Sequence, residues 1–148
     1  MASTYSNLLF HLIFSTKNRD PLIAPAWQDD LYGYIGGIIR TRRGTLLAAG
    51  GMPDHVHLLV KSPTDLAVAE LVRDVKSISS VWRRESGDGG FGWQTGYGAF
   101  TVSGSVGPTV EKYIRTQADH HRTRTFQDEF VEFLTRHGIE YDPKYLWD

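Results

Sequence analysis

Cysteine is absent from the 148-residue chain. That removes disulfide frameworks, thiolate zinc sites and cysteine nucleophiles together, and it is compatible with a reducing compartment. Long apolar runs are missing as well. The longest is Leu8–Phe10 with Leu12–Phe14, interrupted by His11, far short of the ~20 residues a membrane span needs. The N-terminal MASTYSN lacks the basic stretch of a signal peptide. The chain therefore reads as soluble and cytoplasmic, with no membrane partner. Repeats, low-complexity tracts and a GxxxxGK[ST] phosphate loop are all absent.

Nor is there an excess of either charge. Sixteen Lys+Arg face seventeen Asp+Glu, a net charge of −1, which on its face argues against a general polyanion binder. The balance is uneven along the chain. Residues 1–124 carry 14 basic and 11 acidic side chains (+3), and residues 125–148 carry 2 and 6 (−4). A mildly basic body precedes an acidic C-terminal segment. Any recognition of a polyanion then rests on shape, stacking and local basic stripes more than on bulk attraction.

What remains is a globular composition, 41% hydrophobic and 12% aromatic, at a length that suits one domain over residues 1–148. Leu8–Ser15 is apolar on both faces and predicts a central strand. Lys17–Pro25 predicts a loop. Trp27, Leu31, Ile35, Ile38 and Ile39 share one helical face and predict a helix over about 26–40, with close packing at Gly36 and Gly37. Thr45–Ala49 and His55–Lys61 predict a hairpin around a Gly50–Asp54 loop. A second helix is expected over about 65–84, a mobile glycine-rich loop over 85–96 and a last strand over 97–103. A third helix over about 109–122 and a fourth from Thr125 to His137, stopped by Gly138, complete the chain. The order β-α-β-β-α-β followed by two helices predicts an α+β, ferredoxin-like unit: an antiparallel sheet with two helices on one face.

Within that frame His55-Val56-His57 is the most informative triplet. Side chains two apart on a strand share a face, so His55 and His57 point one way while Val56, Leu58 and Val60 line the core. Two imidazoles so placed can converge on one divalent metal, although alone the pattern more often marks exposed or hydrogen-bonded histidines. Asp54 is a turn residue or, less in keeping with its position, a partner to the pair. On the third helix, Val110, Tyr113 and Ile114 form an apolar stripe that Gln117 interrupts. Tyr113 and Gln117 are neighbours on that surface. The plain account is a buried Tyr beside a polar residue. The chemical account makes Tyr113 a nucleophile and the Gln117 oxygen a third metal ligand. Two imidazoles and an amide oxygen suit Mg²⁺ or Mn²⁺ with open positions better than a closed zinc site.

GGMPDHVHLLV followed by Tyr113-Ile114-Arg115-Thr116-Gln117 resembles the HUH single-tyrosine transposases, closest to the REP-associated and insertion-sequence type. The likeness extends to FSTKNR at Phe14–Arg19, YIGGI at Tyr34–Ile38, WQTGYGAF at Trp93–Phe100 and the closing HGIEYDPKYLW. It implies metal-dependent cleavage and rejoining of single-stranded DNA, with hairpin repeats as the recognised element. Tyr113 would form a 5′-phosphotyrosine link, with His55, His57 and Gln117 holding the metal. It also implies a homodimer in which the tyrosine helix can dock on the other subunit. Gly104–Pro108 is a candidate hinge or a plain loop, and 104–124 the tyrosine helix with its connector. The group that takes the tyrosine's proton is left open.

For DNA, Arg73, Lys76, Arg83 and Arg84 fall along one stripe of the second helix, and Arg115 and Arg122 lie around the tyrosine helix. Trp93 and Tyr97 are candidates for stacking on bases. A solvated helix face and core aromatics are the alternative for each. His120 and His121 diverge by ~100° on a helix and are expected at the surface or on DNA. His11 is expected to be packed or hydrogen-bonded. Two other functions compete: a domesticated hairpin-binding protein with little turnover, and a histidine-dependent phosphoesterase, which would usually need a second His-x-Thr/Ser motif.

Overall fold

The structure, a computed structural model, describes residues 3–147. The ends of the 1–148 assignment, residues 1, 2 and 148, lie outside the described residues. In chain order the elements are β1 (Leu8–Ser15), α1 (Gln28–Thr41), β2 (Thr45–Met52), β3 (His55–Ser62), α2 (Val68–Glu85), β4 (Gly98–Val102), α3 (Gly107–Arg115), α4 (Gln117–His120) and α5 (Phe126–Arg136). The strands form one sheet in the order β2-β3-β1-β4 with every neighbour antiparallel. The expected α+β order is present, and β1 is central. No helix among the described residues is long and apolar enough to cross a membrane.

Alternation along the strands divides the molecule into two faces. Leu12, Phe14, Val56, Leu58 and Val60 meet Leu31, Ile35 and Ile39 of α1 and Leu71, Val72 and Val75 of α2 in the main core. On the other face Ile13 and Phe100 meet Phe126, Phe130 and Leu134 of α5, while Leu9, Ala48 and Leu59 meet Ile114 of α3. Each large apolar side chain so buried contributes ~1.5–3 kcal/mol of transfer free energy. The C-terminal helices thus roof the sheet face that the two principal helices leave open.

Three local expectations need correction, and the Gly104–Pro108 connector takes a definite form. Gly50 and Gly51 are not turn residues: they stay in the ladder opposite His57 and Val56, so β2 reaches Met52 and the turn shrinks to Pro53-Asp54. Two glycines in a row look like a turn in sequence, but Gly50 is bare because α3 rests on it. A Cβ there would stand 1.9 Å from the Ile114 carbonyl oxygen. The third helix is two pieces. Thr116 leaves helical geometry (φ −108°, ψ 30°), with its N–H and its hydroxyl both donating to the Lys112 carbonyl, at 3.1 and 2.8 Å. The Gly104–Pro108 connector is a single 3₁₀ turn running into α3, with Pro108 in the first helical turn, where its missing N–H costs nothing. Close packing holds at neither glycine of the first helix: a Cβ at Gly36 would meet only the Leu46 side chain, at an ordinary 3.6 Å, and Gly37 faces open space.

The glycine-rich stretch is pinned at several points. Lys76 Nζ donates to the carbonyls of Gln94, Thr95 and Gly96 at 2.9, 3.3 and 2.6 Å, and Trp93 Nε1 donates to Ser79 Oγ at 3.0 Å.

Candidate active site

β3 delivers both histidines to the roofed face, and both are fully buried. His55 Nδ1 lies 2.7 Å from Asp54 Oδ1. A carboxylate there accepts the Nδ1 proton and leaves the Nε2 lone pair facing the site. Burial works to raise the Asp54 carboxyl, but the hydrogen bond and charge of His55 outweigh it and hold it below its ordinary value. Asp54 is thus a turn residue and the partner of His55 together.

His57 Nδ1 lies 2.8 Å from Nε2 of His11, which β1 contributes. Burial pulls His57 down to about 4 and His11 to about 3. Both rings are therefore neutral at pH 7, as a metal ligand must be. His11 is the packed, hydrogen-bonded histidine expected from the sequence.

Gln117 opens α4 and is buried. Its amide nitrogen donates to the Tyr113 carbonyl at 3.4 Å, which turns Oε1 inward. That oxygen stands 3.4 Å from His55 Nε2 and 3.1 Å from His121 Nε2. Tyr113 sits on α3 with its ring 4.4 Å from His120 and 5.9 Å, edge-on, from His57. Its hydroxyl donates to Oε2 of Glu129. Burial and the Glu129 carboxylate both push the Tyr113 hydroxyl above its ordinary value, so it is protonated at rest.

Glu129, on α5, was missed in the sequence. Its Oε1 lies 2.8 Å from His57 Nε2, 3.5 Å from His121 Nε2 and 3.8 Å from His55 Nε2, and the side chain is 1% exposed. Burial would raise this carboxyl, but the hydrogen bond and charge of His57 and the Tyr113 hydrogen bond bring it to about 2. The signal was there to read. Phe126, Glu129, Phe130 and Leu134 fall on one apolar stripe, and a carboxylate interrupts it as Gln117 interrupts the stripe of α3. His121 needs the opposite correction. It is not at the surface: α4 stops at His120, so the helical angle no longer applies, and the ring folds in to 8% exposure.

Donor atoms of His55, His121 and Glu129 all lie within 4.8 Å of one another. Neighbouring nitrogen and oxygen donors across the cluster are separated by 2.8–3.8 Å. Ligands bonded at ~2.1 Å to one small divalent ion stand ~3 Å apart, so His55, His121 and Glu129 could hold such an ion, with His57 joined to them through Glu129.

The basic residues are more scattered. Arg73, Lys76 and Arg84 line a groove of about 800 Å³ together with Lys17, Trp93 and Tyr97. Lys76 is already committed to its three carbonyls, and burial lowers it to about 8. Arg83 is turned away, pairing with Asp88 and lying 4.0 Å over Trp27. Arg115 pairs with Glu111 and donates to the Leu47 carbonyl at 3.1 Å. Arg122 pairs with Asp119 at the surface. The groove begins at the end of β1 that pairs with His55, on the helix side of the sheet.

Residues 4–117 match the protein family described as Transposase IS200 like. The ISDra2 transposase TnpA of Deinococcus radiodurans is 29% identical over 119 residues, spanning 76% of this chain and 85% of that one. A crystal structure of a candidate transposase from Deinococcus radiodurans R1 superposes with a TM-score of 0.65 at 26% identity, covering 77% of this chain and 93% of the other. The structure of a REP-associated tyrosine transposase bound to a REP hairpin shares the fold, with a TM-score of 0.57 at 17% identity, over 77% of this chain and 68% of its own. Tyr113 and the histidine pair stand in one buried cluster on a sheet of this topology, and the match spans everything from the first strand to Gln117: the chain belongs to the IS200-like transposase family, the Y1 tyrosine transposases.

Proposed function

We propose that this chain cleaves and rejoins single-stranded DNA with Tyr113 as the nucleophile. The supporting observation is that Tyr113 and His57 meet on the same carboxylate, Glu129, which sets a nucleophile beside a metal-binding donor set. Tyr113 gives up its proton and its oxygen bonds to the phosphorus. The P–O3′ bond breaks, and the leaving 3′ oxygen takes up a proton. A second 3′-hydroxyl then attacks the 5′-phosphotyrosine and restores the DNA. The phosphoester bond is conserved through both steps, so no ATP is required.

His55, His57 and Gln117 are the residues proposed to hold Mg²⁺ or Mn²⁺. When bound, such an ion polarises the phosphate and stabilises the leaving oxygen. Asp54 and His11 set the ring orientations that present Nε2 of each histidine inward. Losing such a hydrogen-bonded support costs ~10–100-fold in metal affinity. Asp54→Ala is therefore expected to weaken Mn²⁺ binding by that factor in titration calorimetry, with an unchanged circular dichroism spectrum. Wild-type affinity in the variant would remove Asp54 from this role.

Hairpin-bearing single strands are the proposed substrate class, supported by the fold shared with a transposase whose structure contains a REP hairpin. The groove of Lys17, Arg73, Arg84, Trp93 and Tyr97 combines cations for phosphates with rings for unpaired bases. Double substitution Arg73→Ala/Arg84→Ala is expected to weaken single-strand binding and to reduce the slope of log K against log salt by ~1.4, at ~0.7 per lost phosphate contact. An unchanged slope would move the binding path elsewhere. A homodimer is part of the same reading. Within one chain α3 already brings Tyr113 to the histidines, so pairing would serve the joining of two ends rather than the completion of a site.

The decisive experiment mixes the protein with hairpin-bearing single strands and Mn²⁺ and separates the products under denaturing conditions. A covalent protein–DNA band that disappears with EDTA is the expected result. Tight binding with no band over many hairpins would favour a hairpin-binding protein that does not turn over.

A further inference from the structure

The site described above is closed to DNA. His55 and His57 are 0% exposed, and Gln117 and Glu129 are 1% exposed, so a phosphodiester has no path to the donor atoms unless an element moves. Of the elements that cover them, α3 rests backbone against backbone on Gly50. α5 instead reaches the sheet through long side chains, Phe126, Phe130 and Leu134, and is joined to α4 by the short 121–125 connection. It also begins beyond the last residue of the family match, Gln117. α5 is the element able to lift without dismantling the sheet.

Resting on the metal site of the preceding section, we propose that α5 supplies an exchangeable ligand: Glu129 occupies the position that the substrate phosphate takes, and DNA opens the site by displacing it. Two observations and one chemical equivalence carry this. Oε1 of Glu129 is among the donor atoms that converge, 2.8 Å from His57 Nε2 and within 3.8 Å of those of His55 and His121. A carboxylate and a phosphodiester offer the same kind of hard anionic oxygen, so one can replace the other. The second oxygen, Oε2, accepts the Tyr113 hydroxyl. A single departure therefore frees both a coordination position and the nucleophile. With Glu129 in place the site is loaded but shut; with phosphate in its place the tyrosine is released beside the group it attacks.

The test uses the full chain, Mn²⁺ and a fluorescent oligothymidine strand. Glu129→Gln keeps the side-chain shape and removes the charge. It is expected to weaken Mn²⁺ binding at least tenfold by calorimetry and, with Mn²⁺ saturating, to tighten strand binding several-fold, because the internal competitor is weakened. Glu129→Asp, too short to hold His57 and Tyr113 together, is expected to fall between. A merely structural Glu129 would weaken both. In the wild type, hydrogen exchange at the amides of Phe126–Arg136 is expected to slow on adding Mn²⁺ and to accelerate when the strand follows. That measurement stands even if a variant fails to fold.

Unchanged Mn²⁺ affinity in Glu129→Gln, with binding lost in His55→Ala, overturns the exchange and leaves the metal site intact. Wild-type affinity in both variants overturns the metal site itself. Exchange rates over α5 that do not respond to the strand overturn the opening.

Discussion

Replacing Tyr113 with Phe is expected to reduce strand cleavage on the order of 10⁴-fold or more and to abolish the covalent adduct. The substitution deletes one oxygen. The ring keeps its places against His120, His57 and Phe133, and Glu129 keeps its bond to His57, so the loss of stability is confined to one hydrogen bond, ~1 kcal/mol. Against that stands the removal of the atom proposed to bond to phosphorus. A 10⁴-fold loss is ~5.5 kcal/mol of transition-state stabilisation, well beyond what a change in packing explains. Single-turnover cleavage with a denaturing gel reads the effect directly, and Mn²⁺ affinity should stay near wild type. Hydrolysis that persists in Tyr113→Phe and vanishes in His57→Ala would transfer the chemistry to a histidine-dependent phosphoesterase.

Gly50→Ala is expected to damage both folding stability and cleavage, although Gly50 has no side chain and takes no part in chemistry. The added Cβ would lie 1.9 Å from the Ile114 carbonyl oxygen and 2.8 Å from its carbon. These are backbone atoms and have no rotamer to escape into, so α3 must rise from the sheet by more than an ångström. Ile114 would leave its contacts with Leu9, Ala48 and Leu59, and Tyr113, one residue earlier, would swing away from the histidines. Overpacking of this kind costs ~1–3 kcal/mol or somewhat more, and a 1 Å misplacement of a reacting group costs on the order of 10²-fold in rate. Urea unfolding and single-turnover cleavage measure the two effects. Gly36→Ala is the control: its Cβ would meet Leu46 at 3.6 Å, ordinary contact inside a helix, and the change should be neutral or stabilising by ~0.5–1 kcal/mol. Gly50→Ala with wild-type stability and cleavage would refute the close approach.

The comparison between sequence and structure turns on what periodicity can carry. Strand alternation located Val56, Leu58 and Val60 in the core and His55 and His57 opposite them, because a two-residue period leaves no other arrangement for a half-covered strand. The helical period marks Gln117 as the polar break in an apolar stripe. The same test applied to α5 picks out Glu129, whereas the net charge of residues 125–148 sums that carboxylate with its neighbours and erases phase. His121 escapes a helical angle because the helix breaks at Thr116, where the backbone leaves helical geometry, and the four-residue α4 stops at His120. The basic stripe on α2 shows a different limit. Sequence gives the positions of Lys76, Arg83 and Arg84 but not whether each cation is already taken, and Lys76 and Arg83 are taken by carbonyls, Asp88 and Trp27.

β3 serves two masters, with core residues on one side and the histidine pair on the other, and its start is set by a turn of only Pro53 and Asp54. Shifting a strand by one residue exchanges its faces. Along this strand a lineage can change side chains, but it cannot gain or lose a single residue without moving Val56 into the site and the imidazoles into the core together. The C-terminal roof carries no such restriction, since α5 sits on the sheet by side-chain packing and not by a ladder. A change in length around the roof therefore leaves the two faces of the sheet where they are, and only the seating of Glu129 on His57 and Tyr113 limits it.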